Sequence, residues 1–401
     1  MRYSAWISIA RTAAALAAAM GIGRFAYTPI LPLMTARGGL TTLAAGHLAT
    51  ANYVGYLLGA LAAAASPRLA RSGLAYRGSL VAIVGTLAAM ALSTNVITWA
   101  VLRLIAGMAS ALVFVIAVNR LLDHSHPPGR AGWAFGGVGI GISLSAALPA
   151  TENWRTAWWV AALLTALLSV FAWPIQPGSA EKTSKTVARK HHRGPLMLLM
   201  ASYTLEGIGY IIAGTFLVAA VAQHAPTQLG SAAWLLVGVA AIPSATLWAR
   251  RTARFSHAAL LATALLLQAA GIAWAATGNS SATLIGAVLF GGTFIGISTL
   301  ALAAGRELQF PGAVALLTTG YSTGQIIGPI AVSPLLHNGF QQALLAGAAT
   351  VLLAAGAAAL MWISGRQPRR GVIDPEGADV AGERIHDGMH RGVVLACPPH
   401  Q

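Results

Sequence analysis

Three ionisable side chains fall inside apolar stretches of the chain: Arg24, Arg103 and Glu206. Charge is costly in such surroundings, so these groups are expected to face a wet cavity or the interior of a helix bundle, where they mark candidate chemistry. Glu206 shares a helical face with Tyr203 and Tyr210, three residues before it and four after. A carboxyl group that leaves water as a cavity closes can take up a proton and release it on reopening, which makes Glu206 the candidate proton-coupling residue. The competing reading is a fixed ion pair with Arg24 that only holds two parts of the chain together. Arg24 and Tyr27, three apart, share another helical face, and a permanently charged guanidinium suits a substrate carboxylate or phosphate. If Glu206 already neutralises Arg24, the cavity suits a neutral or amphipathic solute instead. Arg103 is placed near the outer end of its stretch, where it can bind an anion or snorkel to the interface. Gln325 offers an amide to a substrate or to a neighbouring helix. The expected substrate-binding set is therefore Arg24, Tyr27, Arg103, Tyr203, Tyr210 and Gln325, with no catalytic residue, no metal ligand and no cofactor.

The elements that must position these residues are apolar runs. Hydrophobic residues make up 56% of the 401 and charged residues 9%, far below the roughly 25% charged of a soluble domain. Crossing a hydrocarbon core of about 30 Å takes about 20 apolar residues. Twelve stretches qualify, near 8–34, 44–64, 76–94, 97–121, 130–150, 155–174, 195–221, 229–249, 257–276, 282–304, 312–335 and 341–363. The runs are continuous, whereas barrel strands alternate polar and apolar, so the expected fold is all-α with twelve membrane spans.

Charge distribution orients these spans. A net charge of +15 alone would suit nucleic acid, but the basic residues lie in short clusters between apolar runs, with no aromatic interleaving. With the N-terminus inside, twenty of the 25 Lys and Arg fall in inside segments and only Arg37 and Arg155 outside, which puts both termini in the cytoplasm of a bacterial inner membrane. The polar stretch 176–194 reads as a cytoplasmic linker between bundles at 1–175 and 195–363, and 364–401 as a disordered tail. Cys397 stands alone and excludes an intrachain disulfide. His124, His126, His191 and His192 lack matching carboxylates or thiols and read as solvated surface groups rather than metal ligands. No glycine pattern precedes a Lys-Ser/Thr pair, so nucleotide-driven pumping is not indicated.

The two halves repeat. A shift of 186 residues places Gly21-Ile22-Gly23-Arg24 on Gly207-Ile208-Gly209-Tyr210, Leu31 on Leu217, Arg68 on Arg254 and Arg120 on Arg306. A shift of 187 places Gly137 and Gly141 on Gly324 and Gly328. Several matches at one offset indicate duplication in the same topology, and two like bundles can rock about a central site. The paired glycines, with Gly132 and Gly136, let helices approach closely.

The runs Gly21 to Pro32, Glu206 to Ile212 with Thr215-Phe216-Leu217, and Gly324 to Pro329 resemble the YbfB/YjiJ branch of the major facilitator superfamily over residues 1 to about 365. The resemblance implies two pseudo-symmetric six-helix bundles whose spans 1, 4, 7 and 10 line a central cavity. It further implies transport as the activity, without a substrate. The superfamily's acid-containing loop after span 2 reads here Ser66-Pro67-Arg68-Leu69-Ala70-Arg71-Ser72-Gly73 and lacks the acid, which Asp123 could supply; Arg103 to Gly107 resembles its Arg-x-x-x-Gly motif. The expected function is a monomeric, proton-coupled secondary transporter exporting a small organic solute. The alternatives are an importer of an organic anion or zwitterion and, in a different class, a membrane enzyme acting on lipid. Span interiors with one acid and no central histidine argue against the enzyme.

Overall fold

The computed structural model of the chain describes residues 2–122, 130–175, 193–308, 310 and 312–366. Asp123, the four loop histidines, the linker up to residue 192 and the tail from residue 367 lie outside the described residues. Each expected span has its helix. Span 1 comprises α1 (Arg2–Leu16), a π turn (Ala17–Ile22) and α2 (Tyr27–Arg37). Spans 2 to 6 are α3 (Thr42–Ala65), α4 (Gly73–Met90), α5 (Val96–Leu122), α6 (Arg130–Ser145) and α7 (Trp154–Ala172). Spans 7 to 12 are α8 (Arg193–Ala222), α9 (Thr227–Arg251), α10 (His257–Ala275), α11 (Ser280–Glu307), α12 (Ala313–Ala331) and α13 (Phe340–Arg366). Several begin where a short polar side chain caps the first free amides. Thr41 accepts from Ala44 N, Ser72 from Ala75 N and Asn279 from Ala282 N. Eleven spans are long and apolar enough to cross a membrane by length and composition. The twelfth, α12, is made more polar by its run from Thr318 to Gln325.

Neighbour relations repeat between the halves. Helix α3 packs on α5 as α9 packs on α11, α4 lies on α5 as α10 lies on α11, and α1 meets α6 as α8 meets α12. The halves meet through two further equivalent pairs, α6 with α9 and α12 with α3. Spans 5 and 11 both finish in a 3-10 turn containing proline, Leu148–Thr151 and Ser333–Asn338. Glycine makes the close approaches possible. A Cβ on Gly21 would come within 2.5 Å of Gly141 Cα, and one on Gly328 within 2.7 Å of the Ile208 carbonyl oxygen.

Span 1 departs from the expected continuous helix over 8–34. After Ala17–Ile22 the chain turns through residues 23–26 before helix resumes at Tyr27. Pro29 has no amide hydrogen to offer Phe25, and Thr28 N bonds the Phe25 carbonyl at 3.1 Å in place of that of Arg24. The π turn carries the register forward, with Gly23 N bonded to Ala18 O at 2.8 Å.

Candidate functional site

The break in span 1 diverts the Arg24 carbonyl from helical bonding, and Arg103 collects it together with the carbonyl before it. From α5, Arg103 donates Nη1 to Gly23 O at 3.1 Å and Nη2 to Arg24 O at 2.8 Å. Its guanidinium also lies over the Tyr27 ring, 5.3 Å from the centroid. The structure corrects the expected position of Arg103, since the residue is 1% exposed inside the bundle rather than snorkelling at an interface. The physical reason is the broken helix, whose buried carbonyls need a donor. Asn52 on α3 holds this part of α5 by donating Nδ2 to Arg103 O at 2.9 Å.

Arg24 points elsewhere. Its Nη2 donates to Gln325 Oε1 on α12, and its guanidinium lies over three rings, with centroids at 5.4 Å for Phe25, 4.9 Å for Tyr53 and 4.6 Å for Tyr56. Such placement attracts the cation to the ring faces. Arg24 Nε and Gln325 Nε2 are buried without a hydrogen-bond partner. Tyr27, expected beside Arg24, donates its hydroxyl to Ala45 O at 3.0 Å and stacks with Arg103 instead. The turn at residues 23–26 removes the helical relation that would have put Arg24 and Tyr27 on one face.

The ion pair between Arg24 and Glu206, the competing reading, is absent among the described residues. Among the described residues the ion pair present is His257 Nδ1 to Glu307 at 2.8 Å. Glu206, on α8, is fully buried and neither carboxyl oxygen completes a hydrogen bond among the described residues. Gln268 of α10 lies within reach of it, with an amide that is itself buried and without a well-formed bond. A column of aromatic rings lies close to both Glu206 and Arg24. Tyr321 of α12 is sandwiched between Tyr203 at 4.4 Å and 14° and Tyr210 at 5.4 Å and 6°. Tyr210 stacks onward against Phe294 of α11 at 5.1 Å, and Phe294 meets Phe25 edge-on at 5.9 Å. Tyr210 and Tyr321 lie within electrostatic reach of both Arg24 and Glu206.

Sequence reasoning named Arg24, Glu206, Tyr203, Tyr210 and Gln325, and the structure gathers these into one buried region. It missed Tyr53, Tyr56, Tyr321, Phe294 and Gln268. One signal existed for Gln268, an amide standing alone in the apolar run Leu265-Leu266-Leu267-Gln268-Ala269, which repeats the situation of Gln325. The tyrosines gave no signal because a phenol is tolerated in a span without demanding a partner charge.

Arg24 is 3% exposed, so the site is closed in this conformation. Spans 1 and 2 join span 7 across it. Thr28 Oγ1 donates to Gly214 O at 2.5 Å, and Tyr53 OH pairs with Thr215 Oγ1 at 2.9 Å. Trp234 Nε1 of α9 donates to Ser145 Oγ of α6 at 2.9 Å.

Comparison with known proteins is consistent with this arrangement. Residues 16–359 match the family described as uncharacterised MFS-type transporter YbfB, and the chain belongs to that family. Among solved structures it is similar to the nucleoside transporter NupG, with TM-score 0.67 and 14% identity to a point mutant of that protein over 88% of this chain and 100% of that one. The NupG structure without the substitution gives TM-score 0.67 at 13% identity, over 88% and 99% of the two chains. At such identity the likeness is one of fold. No curated protein matches in sequence. The chain is thus a multi-pass membrane transporter of major facilitator fold and not an enzyme.

Proposed function

We propose that this transporter moves an organic anion or zwitterion by alternating access, with Arg24 as the binding cation and Glu206 as the proton-coupling carboxyl. The observation that carries the reading is Arg24 itself. It is a permanent cation, buried at the seam of the two halves, held by an amide and three ring faces, with no described carboxylate in ion-pair distance. An unpaired charge in a dry interior costs several kcal/mol. A substrate carboxylate or phosphate would supply the missing partner, taking the place of Gln325 or joining it through the free Arg24 Nε and Gln325 Nε2.

Glu206 supports coupling on similar grounds. A carboxylate without a counter-charge or a completed hydrogen bond is neutralised most simply by a proton. Coupling between the two sites is supported by the Tyr210 and Tyr321 rings, which lie within electrostatic reach of both Arg24 and Glu206, so occupancy of one site bears on the geometry of the other. Closure of the site on all sides supports alternating access. The Lys and Arg distribution supports a bacterial inner membrane location with both termini cytoplasmic.

The test is transport in proteoliposomes with and without an imposed pH gradient, using a panel of aliphatic and aromatic monocarboxylates and neutral analogues of the same size. Anions are expected to move and neutral analogues not to compete. Glu206→Gln is expected to keep exchange of substrate across the membrane while losing accumulation driven by the pH gradient. Full gradient-driven accumulation by Glu206→Gln would remove the coupling role, and equal transport of neutral analogues would remove the anion. The sign of the gradient that drives net flux reads export against import.

A further inference from the structure

Away from the central site, a groove of about 510 Å³ opens between α9, α10 and α11, within the ~300–1,000 Å³ of ligand pockets. Its walls are Leu247, Phe255, Leu267 and Val288, all exposed, with Trp248 at its base. The outward residues around it, among them Leu235, Val239, Leu266 and Ile285, are also exposed and apolar, so this face meets the hydrocarbon of the bilayer. The other polar side chains along the groove are satisfied within the protein. Trp248 Nε1 donates to Gly292 O at 2.9 Å, Thr263 Oγ1 to Ala259 O at 2.9 Å and Thr293 Oγ1 to Leu289 O at 2.7 Å.

One end is different. Arg251 lines the groove at the last residue of α9, next to exposed Arg250 and with Arg254 in the following turn. No described carboxylate lies in ion-pair distance of any of the three. The floor is open as well, since a Cβ added at Gly292 would meet nothing within 4 Å. From Ala259 to Leu267 the apolar part runs about 12 Å along α10.

The geometry points to a binding site for one anionic glycerophospholipid, an acyl chain lying in the groove over Gly292 and the phosphate headgroup held by Arg251 with Arg250 and Arg254. An apolar channel that opens sideways into hydrocarbon and ends at Arg251, with Arg250 and Arg254 close by in the chain and likewise without a carboxylate partner, matches the two chemistries of such a lipid, and basic clusters beside membrane helices attract anionic headgroups. A zwitterionic lipid would fill the channel but leave the arginines without net counter-charge. The site lies outside the Arg24 region and does not rest on the transport reading.

The experiment is native mass spectrometry of the full chain released from nanodiscs of equimolar phosphatidylglycerol and phosphatidylcholine. The wild-type protein is expected to retain one phosphatidylglycerol in preference to phosphatidylcholine. Arg251→Gln with Arg254→Gln is expected to cut that preference by about 25-fold, roughly fivefold for each charge. Gly292→Leu projects into the groove from a position whose Cβ meets nothing within 4 Å and favours helix, so it should fold while losing the retained lipid of either kind. Its melting temperature, compared with wild type, separates an emptied groove from a damaged fold. Equal retention of both lipids by wild type, a second copy of the chain bound instead of lipid, or unchanged lipid retention in folded Gly292→Leu overturns the proposal. Should Gly292→Leu melt well below wild type, the arginine pair decides alone, and an unchanged lipid preference in it overturns the proposal.

Discussion

Thr28 and Gly214 are 186 residues apart, which is the offset of the internal repeat, and they touch, with Thr28 Oγ1 donating to Gly214 O at 2.5 Å. A residue and its repeat equivalent can meet only beside the axis that relates the two copies. The axis therefore passes between spans 1 and 7 at this contact. One turn away, the equivalents Arg24 and Tyr210 also face each other within electrostatic reach. Duplication made the two sides alike, and at this pair they diverged into a cation and a phenol. The substrate-binding charge of the proposed site thus sits where the halves join.

The axis that relates the repeats runs along the membrane normal, whereas the halves rock about the central site, so the Thr28 and Gly214 contact belongs to the closed state and should part when the site opens. Cysteines placed at Thr28 and Gly214 are expected to form a disulfide on mild oxidation, since Gly214 has ordinary space for a side chain, with Phe25 Cε1 3.6 Å from its Cβ position. Transport should stop on oxidation and return on reduction, in a background where Cys397 is replaced by serine. Transport that survives efficient cross-linking would mean that this contact does not part during the cycle.

Arg24 and Arg103 are both buried arginines of the first half, yet they should fail differently. Arg24→Gln removes the binding cation, and charge-assisted hydrogen bonds are worth about 1.5–3 kcal/mol, so substrate affinity should fall about 10- to 100-fold with little change in melting temperature. Arg24→Lys should rescue poorly, because an ammonium keeps the charge but not the planar group that bonds Gln325 while lying against three rings.

Arg103→Gln should instead destabilise. It leaves the Gly23 and Arg24 carbonyls short of their donors, at about 1–3 kcal/mol for each buried group left unsatisfied. A drop in melting temperature larger than that of Arg24→Gln, with loss of transport following from the misplaced turn, is the expected pattern. An Arg103→Gln protein as stable as wild type with only weakened substrate binding would return Arg103 to the binding set.

These contrasts also mark what the sequence could disclose. Helix positions and the repeat were legible because apolar length and recurrence are properties of the chain alone. The depth of Arg24 and Glu206 was legible too, from the cost of charge in a span. Direction was not. Reading Arg24 with Tyr27 assumed an unbroken helix, and the π turn followed by the turn at 23–26 rotates everything after it, sending Arg24 to α12 and Tyr27 to α3 and Arg103. Reading Arg24 with Glu206 assumed that equal depth means contact, whereas Arg24 bonds Gln325 and both groups lie near the Tyr210 and Tyr321 rings without pairing. Tyr321 itself carries no charge and breaks no pattern, so only its neighbours disclose it.

Tyr321 lies within electrostatic reach of both proposed sites, and two substitutions probe whether its ring or its hydroxyl matters. Tyr321→Phe keeps the stack with Tyr203 and Tyr210, so stability should hold while the hydroxyl near both sites is lost. Gradient-driven accumulation should then weaken relative to plain exchange. Tyr321→Ala removes both stacked pairs, each worth about 0.5–1.5 kcal/mol beyond buried area, and should lower stability as well. Accumulation ratios unchanged in Tyr321→Phe would confine the residue to packing.

The α6 and α9 seam sets which conformation the protein prefers. Two faces of α6 carry glycine for different purposes. Gly137 admits α1 and Gly141 the π turn of span 1 within the first half, while Gly136 and Gly139 admit α9 of the second. A Cβ on Gly139 would stand 2.5 Å from Gly238 O and 2.7 Å from Ile242 N, and both are backbone atoms that cannot rotate aside. Gly139→Ala should therefore hold α6 and α9 apart without unfolding either bundle, and the closed form seen here should become the minor one. A cysteine at Tyr53, buried against Thr215 when the halves are closed, reads the shift. Its alkylation should be faster in the Gly139→Ala background than in wild type, while Gly78→Ala, on a glycine with open space around it, should leave the rate unchanged. Equal alkylation rates in both backgrounds would mean that the seam yields to an added methyl group and does not govern closure.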